Sequence, residues 1–468
     1  MKKKNTSTFE RVLGFIGGFL ILSFLGVLVI LMVTDTSDST SSSHDIAEEE
    51  PLEEEPKSGE DTTITPAVST VRNPLVTPVG NGEDNVTVMI YMNGSNLESD
   101  YGFATTDIAE MLSADLSDQV NVVIQTMGTR EWWDYDIAND HAQRYHIENN
   151  DLALVDDSLT QLNCTDASTL ANFIIWSENN YPADRYFLIF WNHGGGPVGG
   201  FGYDEWGNYS DALTLDEIQT GIKTSGVSFD CIGMDCCIMS SIEICYALYD
   251  YCDYMILSED FESSLGWSYE GWLNALAANT SISTEDLGTI LIDDMVEEND
   301  YYGSTTLALI DQRYVPSLFS LWKNFAYANE ESLLSTNFSR EVVRSERALP
   351  SRETGRNASE LEDYYITDML ACTASISSPL AKPLVAELTK AICYYNCTED
   401  NLGLTGLSVT LPYGDKEYYN DLKPIFINCG IDKDYTAWLN CFIEADDETY
   451  YDYEEFDDSW EGWENFSY

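Results

Sequence analysis

Basic residues are scarce in this chain of 468 residues. There are 22 Lys and Arg against 81 Asp and Glu, and the formal net charge at pH 7 is −59. A surface with this charge repels the phosphates of nucleic acids, which argues against a nucleic-acid-binding protein. The same negative surface attracts cationic partners such as basic peptides, although a surface kept acidic only for solubility has the same composition.

Three common functional motifs are also missing. No C-x-x-C pair occurs among the 11 cysteines, so a structural zinc site has no starting point; Cys393 and Cys397 have the spacing of one face of a helix. No Gly-x-Ser-x-Gly elbow occurs, which excludes a serine lipase or esterase. No D-x-D-x-D-G loop occurs either. We therefore expect no cofactor and assign no metal, while the many carboxylates leave calcium open.

The amino terminus predicts a membrane anchor. Residues 12–33 are 22 consecutive uncharged, mostly apolar residues, enough to cross a bilayer at roughly 20 residues. Basic residues precede this run and acidic ones follow it, which places residues 1–11 in the cytoplasm and the remainder outside the cell. The alternative is a cleaved signal peptide and a secreted protein, but the run exceeds the usual apolar core of about 7 to 15 residues.

Acidic segments flank a central domain. Residues 34–81 are rich in Ser, Thr, Pro and Glu, which predicts a disordered stalk, and His44 within it is a poor catalytic candidate. Residues 446–468 form an acidic, aromatic tail, which is either a solvated end or a segment that binds a partner or folds back. The composition thus predicts one folded domain over residues 82–445.

Within that domain, strand-like and helix-like patterns alternate. β-rich apolar runs occur at residues 86–92, 120–126, 186–191, 229–235, 254–257, 307–310 and 407–411. Helical spacing of apolar residues separates several of them, and Thr214 with Glu217 forms a possible capping box. This alternation predicts an α/β fold with a mostly parallel sheet and helices on both faces.

Two of these strands end in reactive side chains. Residues 185–196 read RYFLIFWNHGGG, and residues 229–243 read FDCIGMDCCIMSSIE. If the two strands are parallel neighbours, His193 and a cysteine emerge together at their carboxyl ends. Of the other histidines, His141 and His146 flank a short RYH run typical of a strand edge. The sequence therefore predicts a Cys/His nucleophilic site, with glycines that leave backbone N–H groups available to an oxyanion.

These residues resemble the clostripain-like cysteine peptidases, a family related to caspases, gingipains and legumain. Residues 86–96 (VTVMIYMNGSN) and 170–196 are similar to the family's first strand and loop and to its helix, strand and His-Gly motif. Residues 235–243 (DCCIMSSIE) are similar to its pattern of Asp, small residue, catalytic Cys, apolar residue, Met and a later Glu. Looser matches at 258–269 and 406–412 extend the resemblance over residues 85–413. It implies a caspase-like fold.

The resemblance also implies roles for individual residues. Cys236 stands at the small-residue position and Cys237 at the nucleophile position, and strand alternation prevents both from facing His193. The oxyanion would be held by backbone N–H groups of Gly194 and Cys237, and His193 would protonate the departing amine. The expected activity is that of an endopeptidase acting on peptide or protein substrates through this Cys-His pair.

Substrate preference is expected to depend on Asp235, which the resemblance places in the pocket for the residue before the cut. A carboxylate there implies Arg or Lys in the substrate; the competing interpretation is that Asp235 caps the following helix. The family commonly has a second acid near the position of Trp267, for which Asp260 and Glu262 are the candidates.

One departure from the family concerns self-processing. Several members cut themselves after a basic residue between the His and Cys motifs, but residues 199–216 contain no Lys or Arg, and Lys223 falls within a predicted helix. We therefore expect the enzyme to act as a single chain. A membrane-anchored binding or scaffolding protein on an inactive peptidase fold remains the alternative function.

Overall fold

A computed structural model of the chain describes residues 71–207, 212–299, 305–335 and 365–444. At its centre lies a nine-stranded sheet with the strand order β10-β8-β7-β6-β5-β1-β2-β3-β4, and β9 pairs with β11 separately. The strands are β1 (Val86–Asn93), β2 (Val120–Met127), β3 (Gln143–Glu148), β4 (Asp151–Asp156), β5 (Arg185–Trp191), β6 (Phe229–Asp235), β7 (Cys252–Leu257), β8 (Thr306–Asp311), β9 (Ile366–Asp368), β10 (Ile392–Cys397) and β11 (Ser408–Thr410).

The sheet is mixed rather than mostly parallel. The five central strands, β7, β6, β5, β1 and β2, are parallel neighbours, whereas the pairings at both edges are antiparallel. One edge is antiparallel because Asn149 and Asn150 both adopt left-handed conformations and join β3 to β4 in a two-residue hairpin. The α/β class is thus confirmed, and the sheet prediction is correct only for the centre.

Helices cover both faces of the sheet. They are α1 (Ser95–Ser99), α2 (Phe103–Ser113), α3 (Ala167–Asn180), α4 (Gly196–Gly199), α5 (Leu215–Ser225), α6 (Ile242–Leu248), α7 (Tyr269–Ala278), α8 (Thr284–Asn299), α9 (Val315–Ala328), α10 (Glu330–Leu333), α11 (Met369–Ser375), α12 (Ala381–Ala391), α13 (Lys416–Asn428), α14 (Lys433–Trp438) and α15 (Cys441–Glu444). Helices α2, α7 and α8 pack on one face, and α3, α5, α6, α9, α12 and α13 pack on the other.

Strand β5 shows how the sequence builds these two cores. Successive side chains of a strand point to opposite faces, so Leu188 and Phe190 enter one core while Ile189 and Trp191 enter the other. A strand buried on both faces must be apolar throughout, which explains the uninterrupted apolar run that predicted it. The capping box of Thr214 and Glu217 at the start of α5 is also confirmed.

Two local predictions are wrong. Cys393 and Cys397 lie on β10 and not on a helix, because their segment pairs with β8 at the edge of the sheet. The end of the predicted stalk is folded: the guanidinium of Arg72 donates to the Asp253 carboxylate (2.6 Å) and to the carbonyl of Tyr249 (2.9 Å). These contacts lie at the amino end of β7, opposite the edge where β6 ends at Asp235.

The predicted anchor, residues 12–33, and the predicted tail, residues 446–468, lie outside the described residues. Across the described ranges, no helix has the length and apolar character needed to span a bilayer.

Candidate active site

The two reactive segments lie side by side. Strands β5 and β6 are parallel neighbours, with Trp191 paired to Asp235 at their carboxyl ends. The sequence prediction that these strands bring His193 and a cysteine to one edge is therefore confirmed. Just beyond that edge is a cavity of about 560 Å³. Its lining comprises Asn96, Leu97, Trp191, Asn192, His193, Gly194, Tyr203, Asp235, Cys236, Cys237, Phe261, Glu262, Ser263, Ser264 and Gly266.

The adjacent cysteines have different environments. Cys236 is 2% exposed and its side chain belongs to the hydrophobic core. Burial raises the pKa of its thiol well above the ordinary value, which keeps it protonated and unreactive. The Cys237 thiol is partly exposed, and its Sγ accepts a hydrogen bond from the backbone N–H of Glu262 (3.3 Å). Of the two thiols, Cys237 is the one placed to react in the cavity.

A strained turn follows Cys237. Ile238 has a φ of 52°, a left-handed conformation that is unfavourable for a β-branched residue. Its backbone N–H donates to the carbonyl of Asp260 (2.9 Å), which fixes the turn. Strain of this kind persists only where surrounding contacts enforce it and is concentrated at functional sites. The turn directs the backbone from buried β6 into α6, whose amino end is capped by the Ser241 side chain.

The glycine after His193 is required by packing. A Cβ atom at Gly194 would lie 2.0 Å from the carbonyl oxygen of Cys237, far inside van der Waals contact. Only glycine therefore allows the loop after β5 to lie directly against the Cys237 turn. This approach brings the backbones of the two predicted oxyanion residues together.

His193 is held by two neighbours that the sequence reasoning missed. Its Nε2 lies 2.8 Å from Oδ1 of Asn96, and its ring stacks on Tyr203 with an interplanar angle of 10° and a centroid separation of 5.7 Å. An amide oxygen only accepts hydrogen bonds, so the Nε2 nitrogen carries a proton. Asn96 and Tyr203 together set the orientation of the imidazole.

The segment that carries Asn96, at the start of α1, is itself fixed to the residue after β5. The side-chain amide of Asn192 donates to the carbonyl of Asn93 and to the hydroxyl of Ser95 (2.7 Å). The amide of Asn93 in turn donates to the carbonyl of Tyr203 (3.0 Å). The sequence signal for this network was the run of small polar residues, NGSN, which begins at the last residue of β1.

A buried carboxyl forms one wall of the cavity. Asp235 is 4% exposed, and its Oδ2 accepts hydrogen bonds from the Tyr269 hydroxyl (2.8 Å) and the Trp267 backbone N–H (3.2 Å). Burial raises its pKa from 3.8 to about 7, against the effect of these two bonds. The interpretation of Asp235 as a helix cap is wrong, because Ser241 caps α6.

Of the two candidate second acids, the structure brings only Glu262 to the cavity. Burial, followed by the nearby charge of Asp235, raises its pKa, and the neighbouring Trp267 side chain opposes that rise. The Asp260 carboxylate instead accepts from the backbone N–H of Phe261 (2.9 Å) and from the Asn401 amide (3.3 Å), away from the cavity lining. The assignment of Asp260 to the pocket is therefore wrong. Trp267 is fully buried and contributes its backbone N–H to Asp235.

The role of Glu243, the Glu of the family pattern, is structural. It is fully buried and accepts hydrogen bonds from the hydroxyls of Tyr435 (2.7 Å) and Thr410 (3.2 Å). Burial raises its pKa to about 7. Glu243 thus joins β11 and α14 to the helix that follows the nucleophile turn.

The other histidines and the one candidate metal site among the described residues lie outside this cavity. His146 stacks on Tyr181, and neither it nor His141 lines the cavity. All 11 cysteines fall in the described ranges, and none of them forms a disulfide there. Glu285, Asp311 and Cys393 come close enough together to hold a metal ion, but the Arg313 guanidinium bonds both oxygens of Asp311, the Nε at 2.8 and 2.9 Å. That cation already balances the charge, so no metal is assigned.

Comparison with known proteins finds related sequences. The model of the clostripain family, Peptidase C11, matches residues 90–375. Clostripain of Hathewaya histolytica is 23% identical over 345 residues, which cover 61% of this chain and 64% of that protein. The match thus spans somewhat less than two thirds of clostripain's own length.

Solved structures show the same fold. A secreted C11 cysteine protease from Bacteroides thetaiotaomicron, in complex with an irreversible peptide inhibitor, has a TM-score of 0.54 at 17% identity and covers 74% of this chain and 99% of its own. An inactive zymogen of a C11 protease from Parabacteroides distasonis has a TM-score of 0.54 at 19% identity, covering 72% and 98%. Since the family model spans more than half of the sequence and includes both strands that end at the cavity, the chain belongs to the clostripain family of cysteine peptidases.

Proposed function

We propose that this protein is a membrane-anchored extracellular endopeptidase that cleaves after Arg or Lys, with Cys237 as nucleophile and His193 as its acid-base partner. One observation carries the proposal: a partly exposed thiol and an oriented imidazole share a cavity with two carboxyls that have no cationic partner. Among the described residues, no Lys or Arg forms an ion pair with Asp235 or Glu262. The substrate would supply the missing positive charge.

The proposed reaction has two stages. The Cys237 thiolate attacks the peptide carbonyl carbon, and backbone N–H groups of Gly194 and Cys237 stabilise the oxyanion. His193, which has taken the proton of the Cys237 thiol, transfers it to the departing amine, and the C–N bond breaks to leave a thioester. Water, deprotonated by His193, then attacks the thioester, releases the acid product and restores the thiol. Because Nε2 of His193 bonds Asn96, Nδ1 is the nitrogen that exchanges the proton.

The preference for basic residues follows from the desolvated carboxyls. A charge-assisted hydrogen bond between a substrate cation and Asp235 contributes about 1.5 to 3 kcal/mol, or roughly tenfold to a hundredfold in kcat/KM. Glu262, which also lines the cavity, supplies a second acceptor. The peptide inhibitor bound by the Bacteroides relative supports a peptide as the ligand of the corresponding cleft.

The test compares cleavage of fluorogenic peptides by the ectodomain, residues 34–468, and by its Cys237→Ala and Cys236→Ala variants. The peptides differ only in the residue before the cut: Arg, Lys, Gln or Met. We expect cleavage after Arg and Lys, complete loss in the Cys237 variant and retention in the Cys236 variant. Loss only in the Cys236 variant would overturn the nucleophile assignment. A folded ectodomain that cleaves none of the peptides would favour the inactive scaffold.

Membrane attachment needs its own test. Full-length protein and the chain lacking residues 1–33 are expressed in a bacterial host, and the cells are fractionated. Full-length protein that stays in the membrane pellet after alkaline carbonate washing supports the anchor. A shortened, soluble product in the medium would instead support signal-peptide cleavage and secretion.

A further inference from the structure

Near the cavity lies a group of aromatic side chains that the proposed reaction does not use. Trp133 is 58% exposed and Tyr101 is 57% exposed, and the Tyr101 ring stacks on Phe103 with a centroid separation of 5.4 Å. We call Tyr101, Phe103 and Trp133 the aromatic rim. Clustered apolar surface that stays exposed on a folded domain is typical of a site of interaction.

The aromatic rim is continuous with the wall of the cavity. Leu97 of α1 lines the cavity, and the indole N–H of Trp133 donates to the carbonyl of Ser99, the last residue of that helix (3.2 Å). Strands β5, β1 and β2 are consecutive parallel neighbours, so the loop after β2, which carries Trp133, emerges at the same edge as His193. Two strand spacings separate β5 from β2, about 10 Å, which an extended peptide covers in about three residues. A substrate bound in the cavity can therefore reach the rim.

The position of Trp133 is fixed before any ligand binds. Its backbone N–H donates to the carboxylate of Glu98 (2.8 Å), which is fully buried and also accepts from the backbone N–H of Thr105 (2.9 Å). Its ring packs against Gly102, where a Cβ would lie 2.6 Å from two ring atoms. An exposed side chain that is already held in one orientation loses little conformational entropy when a ligand covers it.

The charges beside the aromatic rim favour an apolar ligand over a basic one. The Arg130 guanidinium donates to the hydroxyl of Ser99 (3.3 Å) and pairs with the carboxylates of Asp100 (3.2 Å) and Glu205 (3.0 Å). These two acids are thus already balanced, and a second cation would be repelled by Arg130. An apolar side chain gains the contact area of the indole and phenol rings without this repulsion.

We propose that the aromatic rim is a second specificity site, which binds a bulky apolar side chain of the substrate, aromatic or long aliphatic, about three residues from the cut. The inference rests on the proposed endopeptidase activity and adds a determinant outside the pocket for the residue before the cut. Trp133 is its central residue, because it is bonded to the helix that lines the cavity. Cleavage then depends on two features of a substrate, the basic residue at the cut and an apolar residue at a set distance from it.

The experiment measures kcat/KM of the full-length protein for peptides that all carry the same basic residue before the cut, whichever of Arg and Lys is cleaved faster. The parent peptide has Ala at the second, third and fourth positions on each side of the cut, and each derivative has Phe, Leu or Arg at one of them. We expect one position at which Phe and Leu raise kcat/KM roughly threefold to tenfold over Ala, and at which Arg does not.

Two variants then locate the effect. Trp133→Ala keeps the backbone N–H that bonds Glu98, and in this variant Phe and Ala at the favoured position should be cleaved equally well. The matched control is Tyr327→Ala, since Tyr327 is another exposed aromatic residue (40%) but packs on Trp438 of α14. This control should keep the Phe-to-Ala ratio of the unaltered protein.

The inference is overturned if no position favours Phe and Leu over Ala, or if Arg is favoured there instead. It is also overturned if Trp133→Ala lowers the rates for the Phe and Ala peptides by the same factor, as a merely structural role requires. Should that variant not fold, Tyr101→Ala is measured in its place; a lower Phe-to-Ala ratio supports the rim and an unchanged ratio contradicts it. If the unaltered protein cleaves none of the peptides, the proposed function itself fails, a result distinct from active protein without a preference for Phe.

Discussion

Replacing Asp235 with Asn should stabilise the protein while it removes activity toward basic substrates. The carboxyl is buried, and its pKa is raised from 3.8 to about 7. Asn has the same shape, and its side-chain oxygen can accept the hydrogen bonds from Tyr269 and Trp267. The substitution therefore removes the buried charge and keeps its neighbours satisfied.

The expected gain in the free energy of unfolding follows from the difference between the folded and unfolded pKa of Asp235. A carboxyl whose pKa is raised on folding stabilises the folded state below its unfolded pKa, and that contribution is lost as the pH rises through the folded pKa. A rise of about three pKa units corresponds to about 4 kcal/mol of unfolding free energy above pH 7. About 3 kcal/mol of this loss falls between pH 5 and pH 8. The stability advantage of Asp235→Asn should grow by that amount over this range.

The assay is urea unfolding of the ectodomain and its Asp235→Asn variant, followed by tryptophan fluorescence at pH 5 and pH 8. We expect the variant to be more stable at pH 8 by several kcal/mol and to differ much less at pH 5. The same variant should lose most of its kcat/KM for Arg and Lys peptides. A stability difference that is the same at both pH values would refute the assignment of a buried, uncompensated carboxyl.

Three further changes test the site and the attachment of the amino-terminal segment. Asn96→Ala should lower kcat by roughly a hundredfold with little change in KM, because the substitution frees the His193 imidazole that Asn96 orients. An unchanged kcat would show that Asn96 does not position His193. Gly194→Ala should abolish activity, whereas Gly199→Ala, where a Cβ meets no atom within 4 Å, should keep it; equal activity of the two would contradict the close approach at Cys237. Arg72→Ala should leave kcat/KM unchanged and increase cleavage of residues 71–81 in limited proteolysis. If the variant resists the protease as well as the unaltered protein does, the Arg72 contacts do not hold this segment.

The centre of the fold could be predicted because its strands are buried on both faces. Such strands must be continuously apolar, and the side chain that follows each one stands out as polar or reactive. This is why His193 and the two cysteines were visible in the sequence. Strand alternation indicated that only one of the two cysteines faces His193, and the resemblance to the clostripain family selected Cys237; the structure buries Cys236 and leaves Cys237 partly exposed.

The acids of the cavity could not be predicted in the same way. Asp235 and Glu262 come from two segments distant in sequence, and a loop such as residues 258–266 has no periodicity that tells which carboxyl points inward. Asp260 and Glu262 were therefore indistinguishable, and it is contacts such as the hydrogen bond from the Asn401 amide to the Asp260 carboxylate (3.3 Å) that reveal the structural position of Asp260.

The most direct test of the central claim is to map the cysteine labelled by an irreversible peptide inhibitor that carries Arg before a thiol-reactive group. The unaltered ectodomain is treated with the inhibitor, digested and analysed by mass spectrometry, with an otherwise identical inhibitor carrying Gln as the control. We predict one adduct, on Cys237, formed much faster with the Arg inhibitor. An adduct on Cys236 or another cysteine, or equal labelling by both inhibitors, would contradict the account.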